Sequence, residues 1–320
     1  MTKSISSRQA AFLVLNSMIG VGILSLPRTL ITDAHQHAWV PVLLGGAIPM
    51  VGLWLQVRLC KRFPKLDFVR INRRLLGGVL GSILPIAFVL YGASVVATVS
   101  RNFSDMIMTM LFLRTPKSML VFILLATAAY TVQFGARVMA RLNELLFYLV
   151  LPINLLLLPA LQAAQVTNLL PLGEMDLLTV AAATLKTAYA YLGFEILMFF
   201  YWQVEEQEQV LRYSWWATLY VILQYTLVIV VTLLVLGLEL VRRFNYPSLA
   251  VLRVADIPVF ERMELLFVIF YTALVFRPVT NYYLLVSETI CRLWGGRGMR
   301  VSPWLLLIPF TLLALWPPNA

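Results

Sequence analysis

The sequence predicts an all-α membrane protein, a polytopic helical bundle of the transporter kind, and three observations predict it. The 320-residue chain is 61% hydrophobic and only 12% charged, with a mean hydropathy of +0.85, which no soluble globular domain matches. Its apolar residues fall into segments of roughly 20, the length that crosses a bilayer. Two of these segments, in corresponding halves, are interrupted by residues that soften the backbone: Asn16-Ser17-Met18-Ile19-Gly20-Val21-Gly22-Ile23-Leu24-Ser25-Leu26-Pro27 and Ala190-Tyr191-Leu192-Gly193-Phe194-Glu195-Ile196. An unpaired backbone group is costly in a bilayer, so a helix breaks there only where it lines a cavity or a ligand. Paired interruptions in equivalent positions point to a transporter-type binding site.

Nine spans are read, at about 9–30, 38–58, 79–112, 118–135, 142–163, 178–203, 213–239, 259–290 and 302–316. Spans 3 and 8 exceed one crossing and are expected to tilt or project. Span 9 is short, and the chain then reaches Pro317-Pro318-Asn319-Ala320. Met1–Ala11 shows no small-residue cleavage site, so no removable signal peptide is expected. With the N-terminus inside, the inner loops hold about twice as many Lys and Arg as the outer ones; the cluster Arg58, Lys61, Arg62, Lys65, Arg70, Arg73 and Arg74 decides the orientation. The net charge of +10 therefore sets topology and implies no nucleic-acid partner. Cys60 and Cys291 fall at inner ends, where no disulfide is expected. The stretch from Phe244 to Pro258 is the longest outer loop. Spans 1 and 6 enter from opposite sides with five spans between their starts. This predicts one transmembrane domain over 1–320, built of two inverted units, about 9–163 and 178–316.

Gly20 and Gly22 let the backbone leave helical geometry at low steric cost. Unwinding there frees the carbonyls of Met18 and Ile19, which suit an ammonium, and aims the positive end of the following half-helix at the gap, which suits a carboxylate. An α-amino acid carries both charges. The competing reading is close glycine packing between continuous helices. In span 6, Gly193 adjoins Glu195, an ionisable group in mid-membrane and by default functional. Glu195 is a cation ligand, a proton carrier, an ammonium partner, or the acceptor of a buried donor. Tyr189, Tyr191 and Phe194 form an aromatic wall beside it.

The other charges read as structural. Arg101 and Asp105, four apart, make an ion pair. Arg277, just before Pro278, snorkels or pairs with an acid, with an ion path as the alternative. Lys186 is interfacial, His35 and His37 are solvated loop residues, and Glu205, Glu206 and Glu208 form a solvated face. Gly77 to Gly81 is helix packing. There is no phosphate loop, dinucleotide motif, metal spacing or nucleophile–His–acid set, so neither catalysis, a cofactor nor a metal is expected.

A wider set of residues resembles the B-subunit family of spore germinant receptors, within the amino acid–polyamine–organocation transporter superfamily. It comprises Gln9 with Ile19-Gly20-Val21-Gly22-Ile23-Leu24-Ser25-Leu26-Pro27, Arg62-Phe63-Pro64-Lys65, Gly77 to Gly81, and Leu113-Arg114-Thr115-Pro116. Gly135-Ala136-Arg137-Val138-Met139-Ala140-Arg141 with Glu144, Asn168-Leu169-Leu170-Pro171-Leu172, and Gly193-Phe194-Glu195 follow. Tyr246-Pro247-Ser248-Leu249 through Phe260-Glu261-Arg262-Met263-Glu264 completes it. The resemblance implies a five-plus-five inverted-repeat core with broken helices 1 and 6. It implies an amino acid-like nutrient bound by Gly20, Val21, Gly22, Ile23, Tyr191, Gly193, Phe194 and Glu195, with Ser94 and Thr98 of span 3 closing the site. It also implies a larger A subunit and a C-subunit lipoprotein as partners, and the inner membrane of a bacterial endospore as the location, with the N-terminus on the core side. The family pattern has ten spans; nine are read here, so the tenth is expected to be missing. Two functions share these features: a nutrient sensor that triggers germination, and a proton-coupled amino acid permease working through Glu195. A degenerate chain is the third reading.

Overall fold

The computed structural model describes residues 5–112, 114–170, 177–254, 263–294 and 302–316. The readings made above on Leu113, Pro171, Leu172, the stretch 255–262 and 317–320 lie outside the described residues.

Span 1 is two helices. α1 (Ser7–Met18) starts at a capping box, in which Ser6 Oγ accepts from the Gln9 N–H at 3.2 Å and the Gln9 side chain accepts from the Ser6 N–H at 3.3 Å. α2 (Gly22–Ala34) follows residues 19–21 at 56° to α1. Span 2 is α3 (Trp39–Gly45) and α4 (Ala47–Arg62). The loop expected after it contains a helix, α5 (Phe68–Leu76). Asp67 caps α5 by accepting from the Arg70 N–H at 3.0 Å, and Gly77 ends it at φ 83°. Phe68, Val69 and Ile71 are buried while Arg70, Arg73 and Arg74 are exposed. Such a short, one-sided helix lies along the bundle rather than across the membrane.

α6 (Leu80–Met110) is span 3 and α7 (Lys117–Val132) is span 4. A Cβ at Gly81 would run into the α5 backbone at Asn72 and Arg73, so the packing reading of Gly77 to Gly81 describes an α5–α6 contact. Span 5 begins with α8 (Ala136–Val150), earlier than its apolar run suggests, and continues as 3-10 turns over Leu151–Leu157 and Pro159–Ala163. Pro152 and Pro159 lack the N–H that an α-helix would donate, and the backbone tightens there. Span 6 is α9 (Leu177–Thr187), a run of turns over 188–195, and α10 (Ile196–Phe200). α11 (Val210–Arg243) is span 7, and α12 (Pro247–Val254) occupies the long loop after it. α13 (Met263–Trp294) is span 8 and α14 (Trp304–Leu315) is span 9. By length and composition, four helices or continuous pairs among the described residues can each cross a bilayer, and the bent α1–α2 pair makes a fifth.

α1 and α13 form the centre. Ala10, Ala11 and Leu13 to Met18 of α1 are all buried, as are Val279 to Ser287 of α13. α6, α7 and α14 turn Leu90, Phe122, Ile123, Leu305, Ile308 and Leu312 outward, as helices facing lipid do. The centre also holds a polar network. Asn16 Nδ2 donates to the Asn143 carbonyl at 2.7 Å, and Arg277 donates to Asn16 Oδ1. The amides of Asn143 and Asn281 donate to one another at 2.8 and 3.0 Å. Asn281 also donates to Ser17 Oγ at 2.9 Å, and Ser17 donates to the Leu13 carbonyl at 2.7 Å. These bonds fix α13 and α8 against the last turn of α1, next to the break. Asn281→Leu strands buried partners on both neighbours. It is expected to cost about 1–3 kcal/mol, read as a lower melting temperature in detergent; unchanged melting would contradict a structural role for the network.

Candidate functional site

The two interrupted segments meet. Gly193 sits at φ 124°, a backbone region that favours glycine. A Cβ there would overlap the Ser17 carbonyl and the Met18 nitrogen, so the span 6 turn lies directly against the end of α1. The Tyr225 hydroxyl from α11 lies 2.7 Å from the Met18 carbonyl and 3.0 Å from the Ala190 carbonyl. One hydroxyl has a single proton, so it is shared between two carbonyls, one from each break. The expectation that Met18 offers a free carbonyl is corrected to this extent: Tyr225 already occupies one side of it.

Glu195 closes the turn before α10 and is 9% exposed. Its Oε2 accepts from the Gly193 N–H at 2.8 Å. Its Oε1 accepts from Tyr91 of α6 at 2.9 Å and from Tyr282 of α13. The two tyrosine oxygens are 3.2 Å apart and their rings meet edge to face at 5.7 Å. A carboxylate offers about four lone-pair directions, and three have protein donors. One direction on Oε2 has no donor among the described residues.

The remaining candidates divide. Gly20 is half-buried, with Pro278 Cγ 3.4 Å from where its Cβ would be; Gly22 is exposed, and beyond its own stretch of chain no described atom lies within 4 Å of that point. Val21 and Ile23 are buried. Tyr191 is buried, donates to the Val42 carbonyl at 2.7 Å and tilts against Tyr225 at 5.5 Å. Phe194 is half-buried against Gly52. Tyr189 is 81% exposed and takes no part in the aromatic wall. Ser94 and Thr98 are also exposed, and Ser94 donates back to the Tyr91 carbonyl at 2.7 Å. Span 3 reaches Glu195 through Tyr91 instead. Tyr91, Tyr225 and Tyr282 went unnoticed in the sequence, although a polar ring inside an apolar span is the signal that would have found them.

The outlying charges also need correction. Asp105 pairs with Lys117 at the start of α7, not with Arg101. Arg277 neither snorkels nor meets an acid: it is 2% exposed, and among the described residues no carboxylate lies within ion-pair distance. Pro278 cannot donate to the Leu274 carbonyl, and Arg277 Nε donates to it at 3.4 Å instead. His37 is buried rather than solvated, whereas His35 is exposed with Nδ1 at 2.8 Å from Arg242. Lys186 of α9 bonds Asp33 of α2 at 2.8 Å, joining the half-helices that lie on one side of the two breaks. At the opposite end Arg292 of α13 bonds Asp67 and Glu288, each at 3.0 Å, and lies 4.4 Å over the Trp202 ring. Glu205, Glu206 and Glu208 are exposed.

Solved transporter structures share this arrangement of helices. A substrate-bound, outward-open Na+-coupled sialic acid symporter matches with a TM-score of 0.74 at 11% identity, over 98% of this chain and 75% of that one. A manganese transporter from Eremococcus coleocola matches with a TM-score of 0.64 at 14% identity, over 98% and 70%. At these identities the likeness is one of fold. Among sequence relatives, spore germination protein YndE of Bacillus subtilis (strain 168) is 26% identical over 323 residues, 99% of this chain and 88% of the relative. Spore germination protein GerQB of Bacillus cereus is 24% identical over 310 residues, 96% and 85%. The family model described as spore germination protein matches residues 4–319, the described residues of that range carry the broken-helix transporter fold, and the chain belongs to the spore germination protein family.

Proposed function

We propose that this protein is the membrane subunit of a nutrient germinant receptor and that it binds an amino acid-like germinant where α1–α2 and α9–α10 are broken. The observation that carries this reading is the state of Glu195: a carboxylate held by Tyr91, Tyr282 and the Gly193 N–H, with one lone-pair direction left over. The ligand's ammonium sits on that oxygen. Its carboxylate faces the start of α2, where the dipole of a 13-residue helix favours negative charge. The space beside Gly22 admits its side chain. Ligand contacts on both broken segments change how the half-helices sit, and an A subunit and a C-subunit lipoprotein receive that change. The site lies in the spore inner membrane with the N-terminus on the core side, as the Lys and Arg distribution favours.

Gly22→Leu tests the site without disturbing the fold. A Cβ at Gly22 would meet no neighbouring described atom within 4 Å, so insertion and melting are expected to be unchanged. The nutrient concentration for half-maximal germination of spores carrying the variant is expected to rise about tenfold or more, since the leucine would take the space assigned to the nutrient's side chain, a loss of about 1.4 kcal/mol or more. An unchanged dose–response would remove Gly22 from the site.

A further inference from the structure

A second chamber adjoins the α1–α2 break, and neither Glu195 nor Tyr91, Tyr282 or Gly193 lines it. It is a partly open cavity in which a water-sized sphere can be centred over about 50 Å³, between α1, α2, the 3-10 turns after α8, α11, α12 and α13. Ile19, Ile23, Leu157, Val228 and Phe267 contribute to largely apolar walls. Two polar groups in those walls are unspent. Arg277 has five N–H donors, of which one meets Asn16 Oδ1 and one the Leu274 carbonyl; the others have no acceptor among the described residues. The Tyr271 hydroxyl is fully buried and has no hydrogen-bond partner among the described residues. A buried guanidinium without a counter-charge is expensive, and a buried hydroxyl without a partner adds to the cost. Asn154, Gln224 and Tyr220 on the same walls bond one another, at 3.3 Å between Asn154 Nδ2 and the Tyr220 hydroxyl. They do not neutralise the charge.

We propose that this chamber is an anion site for a small monocarboxylate with an apolar body, held by Arg277 through its carboxylate, with the Tyr271 hydroxyl as a second polar contact. The site is separate from the Glu195 pocket. A guanidinium matches the planar fork of a carboxylate, and the apolar walls take a short branched or linear hydrocarbon. Occupancy would brace α1, α11 and α13 around the break without touching the nutrient's ammonium.

The test is equilibrium dialysis of radiolabelled 4-methylpentanoate against the full chain in lipid nanodiscs. Saturable binding is expected, and the uncharged 4-methylpentanamide should not compete. Tyr271→Phe removes a hydroxyl that makes no internal bond, so it keeps the fold and should weaken binding about 2- to 10-fold. Arg277→Lys keeps the charge and loses the fork, and should weaken it about 10-fold or more; its fold is checked by near-ultraviolet circular dichroism. Four results would each overturn the proposal. These are absence of saturable binding to folded wild-type chain, full competition by the amide, an affinity unmoved in both folded variants, and tighter binding of dodecanoate, which would make the chamber a seat for a lipid chain.

Discussion

Gly193→Ala is expected to abolish the nutrient response and to lower the melting temperature of the purified chain. Two costs add. An alanine held at φ 124° carries about 1–3 kcal/mol of backbone strain. Its methyl group would also occupy the position of the Ser17 carbonyl and the Met18 nitrogen. These are backbone atoms of a buried helix end, so the neighbour cannot swing aside as a side chain would; forcing them apart costs about another 1–3 kcal/mol. The same movement pulls Met18 and Ala190 away from the Tyr225 hydroxyl they share. Gly22→Ala is the control. Gly22 is the first residue of α2 and has open space around it, so a methyl group there should change stability by no more than about 0.5 kcal/mol. If the two alanine variants melted alike, the contact between the breaks would not exist in the protein.

Glu195→Gln is expected to raise the nutrient concentration for half-maximal response by about 100-fold, because hydrogen bonds to charged groups contribute about 1.5–3 kcal/mol. Geometry makes the amide a poor substitute in either orientation. With its oxygen toward Tyr91 and Tyr282, its NH2 group faces the Gly193 N–H, donor against donor. Flipped, it donates to the tyrosine oxygens, which reverses those bonds and leaves a tyrosine proton without the acceptor it had. The Gly193 bond is lost in the first orientation and a tyrosine's acceptor in the second, and in both the charge that would meet an ammonium is gone. Tyr282→Phe should give a smaller loss. In the double variant the two effects should fall short of additive, since both act on one carboxylate. A Glu195→Gln dose–response equal to the parent at every pH would show that Glu195 serves neither as cation ligand nor as proton carrier.

The fold class, both breaks and Glu195 were legible in the sequence for physical reasons. A bilayer makes every interruption of a helix and every mid-span charge costly, so each stands out against an apolar background. The partners of Glu195 were not legible. α6 carries apolar residues on every side, which leaves its rotation undetermined, and Ser94 and Thr98 stood in for Tyr91 on that account. Local spacing also misled at Arg101 and Asp105, where i,i+4 geometry suggested a pair while Lys117 came from the next helix. α5 was overlooked because its arginines read as a loop that sets topology, although Phe68, Val69 and Ile71 alternate with them at helical spacing. Arg277 looked like a surface-seeking side chain. Only three dimensions show that Asn16 and the Leu274 carbonyl bond it inside.

Paired binding and uptake decides between a sensor and a permease, which share the same broken helices. Vesicles carrying this chain, or its Glu195→Gln variant, would be given a panel of labelled amino acids with and without a proton gradient. Saturable binding that is lost in Glu195→Gln, with no accumulation under either condition, is the expected result. Gradient-driven accumulation, or binding indifferent to Glu195→Gln, would contradict a nutrient-sensing site at the helix breaks.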